Sequence, residues 1–560
     1  MHDAQVAPRR HEAHRVLGLS IGEYLIRRLQ EVGIRDAFGI PGDYILGFYS
    51  MLEQSPINVV GCCREDNAGF AADAYARING IGAVCVTYGV GGLSLCNSIA
   101  GAYAEKSPVV VISGAPGIRE RYKNPLLHHK VRDFRTQLDV FEKICVATAE
   151  VADPSIAFRD IDRVLSACTR SKRPVYIELP RDMVRVVPDA PHEFRSVEAT
   201  SDPEALAEAV GEATRLIAGC RKPVILAGVE IHRYGLQDEL LHFAESTRIP
   251  IACTVMGKSV VHETHPLFAG LYEGAMSRAE VTQFVEESDC VIMLGAFMTD
   301  IDLGIYTANL DPANCIYAMS DDLRIRHHHY QDVVLGDFIR ALTARRPQPP
   351  ERTPPKRPDR NGEAYQVQPD RPVTITRLIE RLNQSLDDRT IVVSDIGDAL
   401  FASTELTTRG RTEFIGPAYY TSMGFGVPGA LGAATARPDL RTVVIVGDGA
   451  FQMTGNELST LVRHGHHSII VVLDNKGYGT ERILHPGEFK YNEVQPWAYH
   501  KLPEVFGGGR GYEVRTEGEF DRALSQAWHD KQLHLIQAHL PQDDCSPALC
   551  RLAEHLRKRM

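Results

Sequence analysis

A chain of 560 residues, 44% hydrophobic and 24% charged, has room for three or four domains with cores of their own. Its formal charge of −11, with no basic run to set against it, excludes a nucleic-acid surface. The first sixteen residues are polar and no uninterrupted apolar stretch could cross a bilayer, so neither a signal peptide nor a membrane span is expected. Most of the twelve cysteines lie singly in apolar segments, as Cys85 and Cys290 do; only Cys62 and Cys63 adjoin, and no CxxC pair suggests zinc. They are expected to be reduced core residues of a cytosolic, cytoplasmic protein.

The first piece, 18–185, begins with the turn Gly39-Ile40-Pro41-Gly42-Asp43. Next come Arg64-Glu65-Asp66-Asn67 and an Ala-rich helix (GFAADAYAR, 69–77), then the strands AVCVTYG and VVVISG, then Leu127-His128-His129. The stretch 186–203 lacks periodicity, is bounded by prolines and reads as a linker. The middle piece, 203–345, carries the apolar runs KPVILAGV and CVIMLGA, neither followed by GxGxxG. It is therefore expected to be a spacer and subunit-contact domain without NAD or FAD. Eight prolines among charged and polar residues mark 346–372 as a second linker. The third piece, 373–545, holds TIVVSDIG, the helix GALGAATAR (429–437), RTVVIVGDG and HSIIVVLDN.

Near-continuous apolar strands alternating with helices predict parallel sheets covered on both faces. The expected fold class is α/β, with three doubly wound parallel-sheet domains. The first and third pieces echo each other: an Ala/Gly-rich helix ending in Arg, a strand, a glycine turn, a helix and another strand recur at similar spacing. Twin domains on either side of a different one can hold a cofactor between them.

The run 443–449 is a buried strand ending in Gly447-Asp448-Gly449, at the carboxyl end where open α/β sheets bind ligands. The glycines let backbone approach a phosphate, and a helix starting near Ala450 can turn free N–H groups toward an anion. Asp448 offers a hard oxygen, Asn475 a neutral amide oxygen 27 residues on, and Gly477 a carbonyl free to turn inward. One carboxylate, one amide and one carbonyl suit octahedral Mg2+.

This pattern resembles the metal–diphosphate motif of thiamin diphosphate enzymes. The resemblance implies thiamin diphosphate and Mg2+ as cofactors, with Asp448, Asn475 and Gly477 as metal ligands. The family usually has two asparagines where this chain has Asp474-Asn475, which leaves the ligand in place and adds a charge beside it. Glu65, before its Ala-rich helix, resembles the glutamate that drives the aminopyrimidine toward its imino tautomer. Tyr420-Thr421-Ser422-Met423-Gly424 resembles the segment that bends the cofactor, with Met423 as the wedge. Asp398, Leu400, Thr421, Ala450, Tyr478 and Gly479 fall at further cofactor-binding positions.

Three features resemble the decarboxylases of that superfamily: the GIPGD turn with Asp43, the tandem His128-His129, and Glu481 six residues beyond Asn475. Together they supply donors and acceptors for the protons exchanged after carbon dioxide leaves. The clusters His327-His328-His329 and His464/His466/His467 read as surface features. AYAEKSPVVVISGAPG, EIHRYGL, VVSDIGDALF and YYTSMGFGVPGALG are similar to the phenylpyruvate/indolepyruvate branch. The resemblance implies decarboxylation of aryl or long aliphatic 2-oxo acids to aldehydes through a thiamin-bound enamine. Pyruvate-restricted relatives carry Trp where this chain has Leu400, and some carry Ile at Thr480, so Leu400, Thr480 and Leu484 are expected to line a deep substrate pocket. A carboligase is the nearest alternative, and a non-catalytic cofactor-binding protein a more distant one. Family precedent also implies a homodimer, or a homotetramer, with each site at a subunit interface.

Overall fold

The computed structural model describes residues 15–16, 18–189, 192–194, 199–355, 365–410 and 412–557. The polar stretch 1–14, part of the first linker (190–191 and 195–198) and the centre of the second (356–364) lie outside the described residues. The chain forms two compact units. Among the described residues, one takes those up to Gly69 with Asn79–Tyr103 and Ser107–Ala199; the other takes Phe70–Ile78, Ala104–Lys106 and those from Thr200 on.

In the first unit, six parallel strands lie in the order Asn58–Gly61, Asp36–Gly39, Gly82–Val86, Val109–Ala115, Val175–Pro180, Ala147–Glu150. Gly82–Val86, Val109–Ala115 and Val175–Pro180 are buried at every position, as their continuous apolar runs require. Each fully buried Val or Ile there contributes about 1.5–3 kcal/mol. Helix Ile21–Glu31 closes over one face, started by a capping box between Ser20 and Glu23.

The second unit holds two sheets. In the C-terminal one the order is Glu413–Ile415, Thr390–Ser394, Arg441–Gly447, Ile469–Asp474, His534–His539, Arg510–Val514, again all parallel. Counted along the chain, both six-stranded sheets run second, first, third, fourth, sixth, fifth. The echo read from short segments is therefore a shared topology, and the three domains are α/β.

The middle sheet departs from the all-parallel expectation. Phe268–Leu271, Ile251–Cys253, Pro223–Ala227, Cys290–Leu294 and Cys315–Ala318 are parallel, but Leu323–Ile325 and His328–Tyr330 extend it antiparallel. These added strands are three residues each, too short and polar to show a period. His327, His328 and His329 are exposed there, whereas His466 and His467 are half-buried rather than surface residues. Burial holds the His466 imidazole down at about 4.

The cysteine reading also needs one correction. Cys545 and Cys550 form a disulfide, while the other ten cysteines, seven of them buried, lie outside it. It brackets the start of the last helix, Pro547–Arg557, where Ser546 Oγ accepts from Leu549 N at 3.2 Å.

Candidate active site

Strand Arg441–Gly447 passes directly into helix Asp448–Thr454, so Asp448 is the first helical residue and the helix begins two residues before the expected Ala450. Asp448 is 2% exposed. Its Oδ1 accepts from Gly449 N at 2.7 Å and its Oδ2 from Gly477 N at 3.1 Å, which brings the two ends of adjacent strands together. Burial pushes the Asp448 carboxyl up to about 7; Asp474 adds to the rise, and the amides of Gly449, Gly477 and Lys476 oppose it. A Cβ on Gly449 would stand 2.6 Å from the Tyr478 ring, and one on Gly477 2.0 Å from the Asn492 carbonyl. Both glycines are thus required by close packing rather than by turn geometry alone.

Asn475 lies over Gly479, whose added Cβ would meet Asn475 Nδ2 at 2.5 Å. Asp474 Oδ2 accepts from Gln537 Nε2 at 2.7 Å and stands 2.9 Å from His539 Nδ1, so the extra charge has partners of its own. A buried carboxylate beside a second one, with an amide and a carbonyl in the same loops, is a hard-oxygen donor set that fits a divalent cation. The residues present fit Mg2+ and the diphosphate that it would carry.

The other cofactor positions of this unit lie on loops around that corner. Asp398 opens helix Asp398–Ser403, and its Oδ2 accepts from Ser546 N at 2.9 Å while Oδ1 has no partner. Burial pushes its carboxyl up to about 6, against the pull of Ser546. Leu400 is 2% exposed and packs in the core of the C-terminal domain. Thr421 is exposed and Met423 half-buried; Thr421 adopts φ +54°. The loop leading to them is held by Glu105, whose Oε1 accepts from the amides of Tyr419 and Tyr420 at 2.8 Å each. Thr480 Oγ1 faces Gly397, whose added Cβ would lie 3.3 Å away, and Glu481 and Leu484 are exposed on helix Gly479–Leu484.

In the first unit Asp43, His128 and His129, three of the four residues expected to exchange protons, lie close together. Asp43 Oδ2 lies 2.8 Å from His128 Nε2, and one ligand atom each of Asp43, His128 and His129 lie within 4.8 Å of one another. Both Asp43 and His128 are exposed. Arg181 Nη1 stands 3.9 Å from Asp43 Oδ2. His129 adopts φ +65°, and Gly89 packs so closely that a Cβ there would lie 2.3 Å from the His129 carbonyl. Glu65 begins helix Glu65–Asn79 and is half-buried; a Cβ on Gly91 would lie 3.6 Å from its Oε1.

Four residues of the site were missed in the sequence. Tyr44 stacks on His128 with ring centroids 4.8 Å apart, and its hydroxyl donates to the His128 carbonyl at 3.3 Å. Gln137 Oε1 accepts from Gly89 N at 2.7 Å and so seats the turn behind His129. Arg482 Nη1 donates to the Asn475 carbonyl at 3.1 Å and Nη2 to the Lys476 carbonyl at 2.9 Å. Asn492 is 2% exposed with both side-chain polar atoms unpartnered, and its carbonyl accepts from Tyr478 N at 3.0 Å. An aromatic beside the GIPGD turn and the YN pair before the tryptophan were visible, but nothing local announces what they touch.

Three sequence models match the chain: "Thiamine pyrophosphate enzyme, N-terminal TPP binding domain" over residues 19–138, "Thiamine pyrophosphate enzyme, central domain" over 210–344, and "Thiamine pyrophosphate enzyme, C-terminal TPP binding domain" over 395–538. Among similar proteins, an indole-3-pyruvate decarboxylase of Azospirillum brasilense is 35% identical, covering 96% of this chain and 98% of its own length. An alpha-keto-acid decarboxylase of Mycolicibacterium paratuberculosis is 35% identical over 93% of this chain and 94% of its own length. A pyruvate decarboxylase of Aspergillus fumigatus is 33% identical over 96% of each.

Proposed function

We propose that this chain, which belongs to the thiamine pyrophosphate enzyme family, acts on aryl or long-chain 2-oxo acids such as phenylpyruvate and indolepyruvate, releasing the aldehyde and carbon dioxide. It is a thiamin diphosphate-dependent 2-oxo-acid decarboxylase. The observation that supports the decarboxylase reading is the Asp43–His128–His129 cluster, three groups able to give and take protons within 4.8 Å of one another.

Bound thiamin diphosphate supplies the electron sink that lets the carboxylate leave as carbon dioxide. Asp448, Asn475 and the Gly477 carbonyl hold Mg2+; Gly447, Gly449 and Ala450 leave room for the diphosphate. Glu65 would hold a proton for the aminopyrimidine, and Met423, Thr421, Asp398, Leu400, Tyr478 and Gly479 would help hold the cofactor. His128, set by Asp43 at Nε2 and by Tyr44 across its face, delivers and removes protons at the reacting carbon and its oxygen together with His129 and Glu481. Leu400, Thr480 and Leu484 bound the space for the substrate's side chain.

Two copies pair so that Glu65 and the histidines of one face Asp448 and Glu481 of the other, and two such dimers form a tetramer. The domain limits 18–185, 203–345 and 373–545 belong to the same reading, as does a cytosolic setting for a chain with ten cysteines outside any disulfide.

The substrate reading is tested by a panel of 2-oxo acids assayed for aldehyde and carbon dioxide, with and without an added acceptor aldehyde. Acyloin as the main product without added aldehyde would overturn it in favour of carboligation. The pairing is tested by mixing two inactive variants, Glu65→Gln and Asp448→Ala. If sites are shared between copies, each mixed dimer regains one intact site and about a quarter of wild-type activity returns. No recovery after verified subunit exchange overturns the shared site.

A further inference from the structure

Asp395 directly follows strand Thr390–Ser394 and is wholly buried. It touches no candidate proton-transfer group, yet its carboxylate gathers three backbone amides. Oδ1 accepts from Ile396 N at 2.8 Å and from Gly424 N at 3.2 Å; Oδ2 accepts from Gly426 N at 2.7 Å. Two of these amides lie just beyond Met423, with one residue between them. Asp395 N in turn donates to the Ile445 carbonyl at 2.9 Å, on the strand that leads to Asp448.

The segment so held is not one that backbone preference would form unaided. Thr421 has φ +54° and Gly424 φ +94°, so both sides of Met423 lie in the left-handed region. Gly424 is pinned from its other side as well: its carbonyl accepts from Thr454 Oγ1 at 2.8 Å, at the end of the helix that starts at Asp448. Gly426 opens helix Gly426–Ala436, and a Cβ there would lie 3.0 Å from Asp395 Oδ2. The fit is tight around the carboxylate itself.

We propose that Asp395 is a positioning residue for the cofactor, setting the height and direction of Met423 by holding the amides of Gly424 and Gly426 on one carboxylate. The inference rests on the reading of Met423 as the residue beneath the cofactor. An anion is the chemistry the place demands. Two amides converge on it, and an asparagine could offer one of them only its NH2 group. Burial raises the carboxyl to about 6 against the pull of those amides, so a neutral side chain would sit there more cheaply if a helix start were all that needed satisfying.

The test titrates full-length apoprotein with thiamin diphosphate and saturating Mg2+, following binding by calorimetry. Asp395→Asn is expected to raise the cofactor Kd about tenfold or more, while the far-UV spectrum of the apoprotein stays that of the wild type and its melting temperature falls by only a few degrees, the cost of one acceptor lost from a buried amide. Met423→Ala is expected to raise it as well, and the double variant no further than Met423→Ala alone, because both act through one contact. An unchanged Kd for Asp395→Asn beside a weakened Met423→Ala overturns the positioning role, and so do fully additive effects. An unchanged Kd for Met423→Ala instead overturns the reading of the wedge, whatever Asp395 does. Should Asp395→Asn fail to fold, Gly426→Ala decides, since its methyl group displaces Oδ2 while keeping the charge. It is expected to weaken cofactor binding in the same way, and wild-type affinity there overturns the proposal.

Discussion

Asp43 and Asp398 stand at matching places in two sheets of the same strand order, each four residues past the end of the first strand and each preceded by glycine. Asp43 is exposed and meets an imidazole 2.8 Å away, whereas Asp398 is half-buried against a backbone amide at the start of the last helix. The third strands diverge in the same manner. Gly82–Val86 leads into Gly89, a seat for His129, and Arg441–Gly447 leads into Asp448, a buried carboxylate. Topology decides where a loop can carry chemistry; the residues packed against that loop decide which chemistry.

The contrast breaks most completely at Asp448. Asp448→Ala is expected to leave a folded protein without bound cofactor and without turnover, because the charged oxygen of the metal site is gone. Cofactor retained through gel filtration, measured by its absorbance after release, checks this.

A smaller effect separates the two matching aspartates. Asp43→Ala, like His128→Phe and Glu481→Gln, is expected to lower kcat by about a hundredfold with little change in melting temperature. Asp398→Ala is expected to lower melting temperature and cofactor affinity together, at a cost of about 1–3 kcal/mol for an acceptor lost from a buried amide. Paired melting curves and kcat values on the same preparations sort one behaviour from the other.

Substrate order should move less. Wild type is expected to favour phenylpyruvate or indolepyruvate over pyruvate in kcat/KM, by about 1–3 kcal/mol for each methylene-sized group accommodated. Leu400→Trp with Thr480→Ile is expected to flatten that order. Leu400 lies in the domain core, so the double variant also carries about 1–3 kcal/mol of overpacking and its melting temperature must be followed alongside.

The smallest effect concerns the sixth strands, where Glu178 and Gln537 both stand fourth. Gln537 is neutral and donates to Asp474, while Glu178 is buried beneath the Tyr176 hydroxyl, which donates to its Oε2 at 2.7 Å. Burial pushes the Glu178 carboxyl up to about 7, with Tyr176 and Arg121 opposing. The folded state therefore holds that proton more tightly than the unfolded chain does. This contribution is fully present below about 4.5 and is lost as pH rises through about 7, where the ionised group becomes a cost. Glu178→Gln is expected to match wild type near pH 5 and to melt roughly 2–4 °C higher at pH 8. Scanning melting temperature against pH checks the slope.

What could be read from residues alone follows from how far apart the partners lie. Asp448 and Asn475 directly follow neighbouring strands, so strand pattern and donor type sufficed to expect them at one corner. Tyr44 and His128 are separated by 84 positions, and Asp398 and Ser546 by 148. Neither pair has a local signature, since the contact exists only once the strands are ordered. The early start of the helix at Asp448 was hidden because an aspartate reads as a cap as readily as a first helical residue. Cys545 and Cys550 escaped because their spacing of five matches neither a metal pair nor adjacent thiols. Leu400 was legible as apolar, but its packing in the core of the C-terminal domain was not.

The bond between Cys545 and Cys550 also gives the last helix a direction of failure. Its beginning is fastened three times, by the disulfide, by Asp398 on Ser546 N, and by Ser546 Oγ on Leu549 N. Unwinding can therefore begin only at its far end. Ala548, Leu549 and Leu552, packed with Phe401 and Ile483, are the last turns to come loose, so heat or a protease wears that end back before it disturbs the neighbours of Leu400 and Glu481.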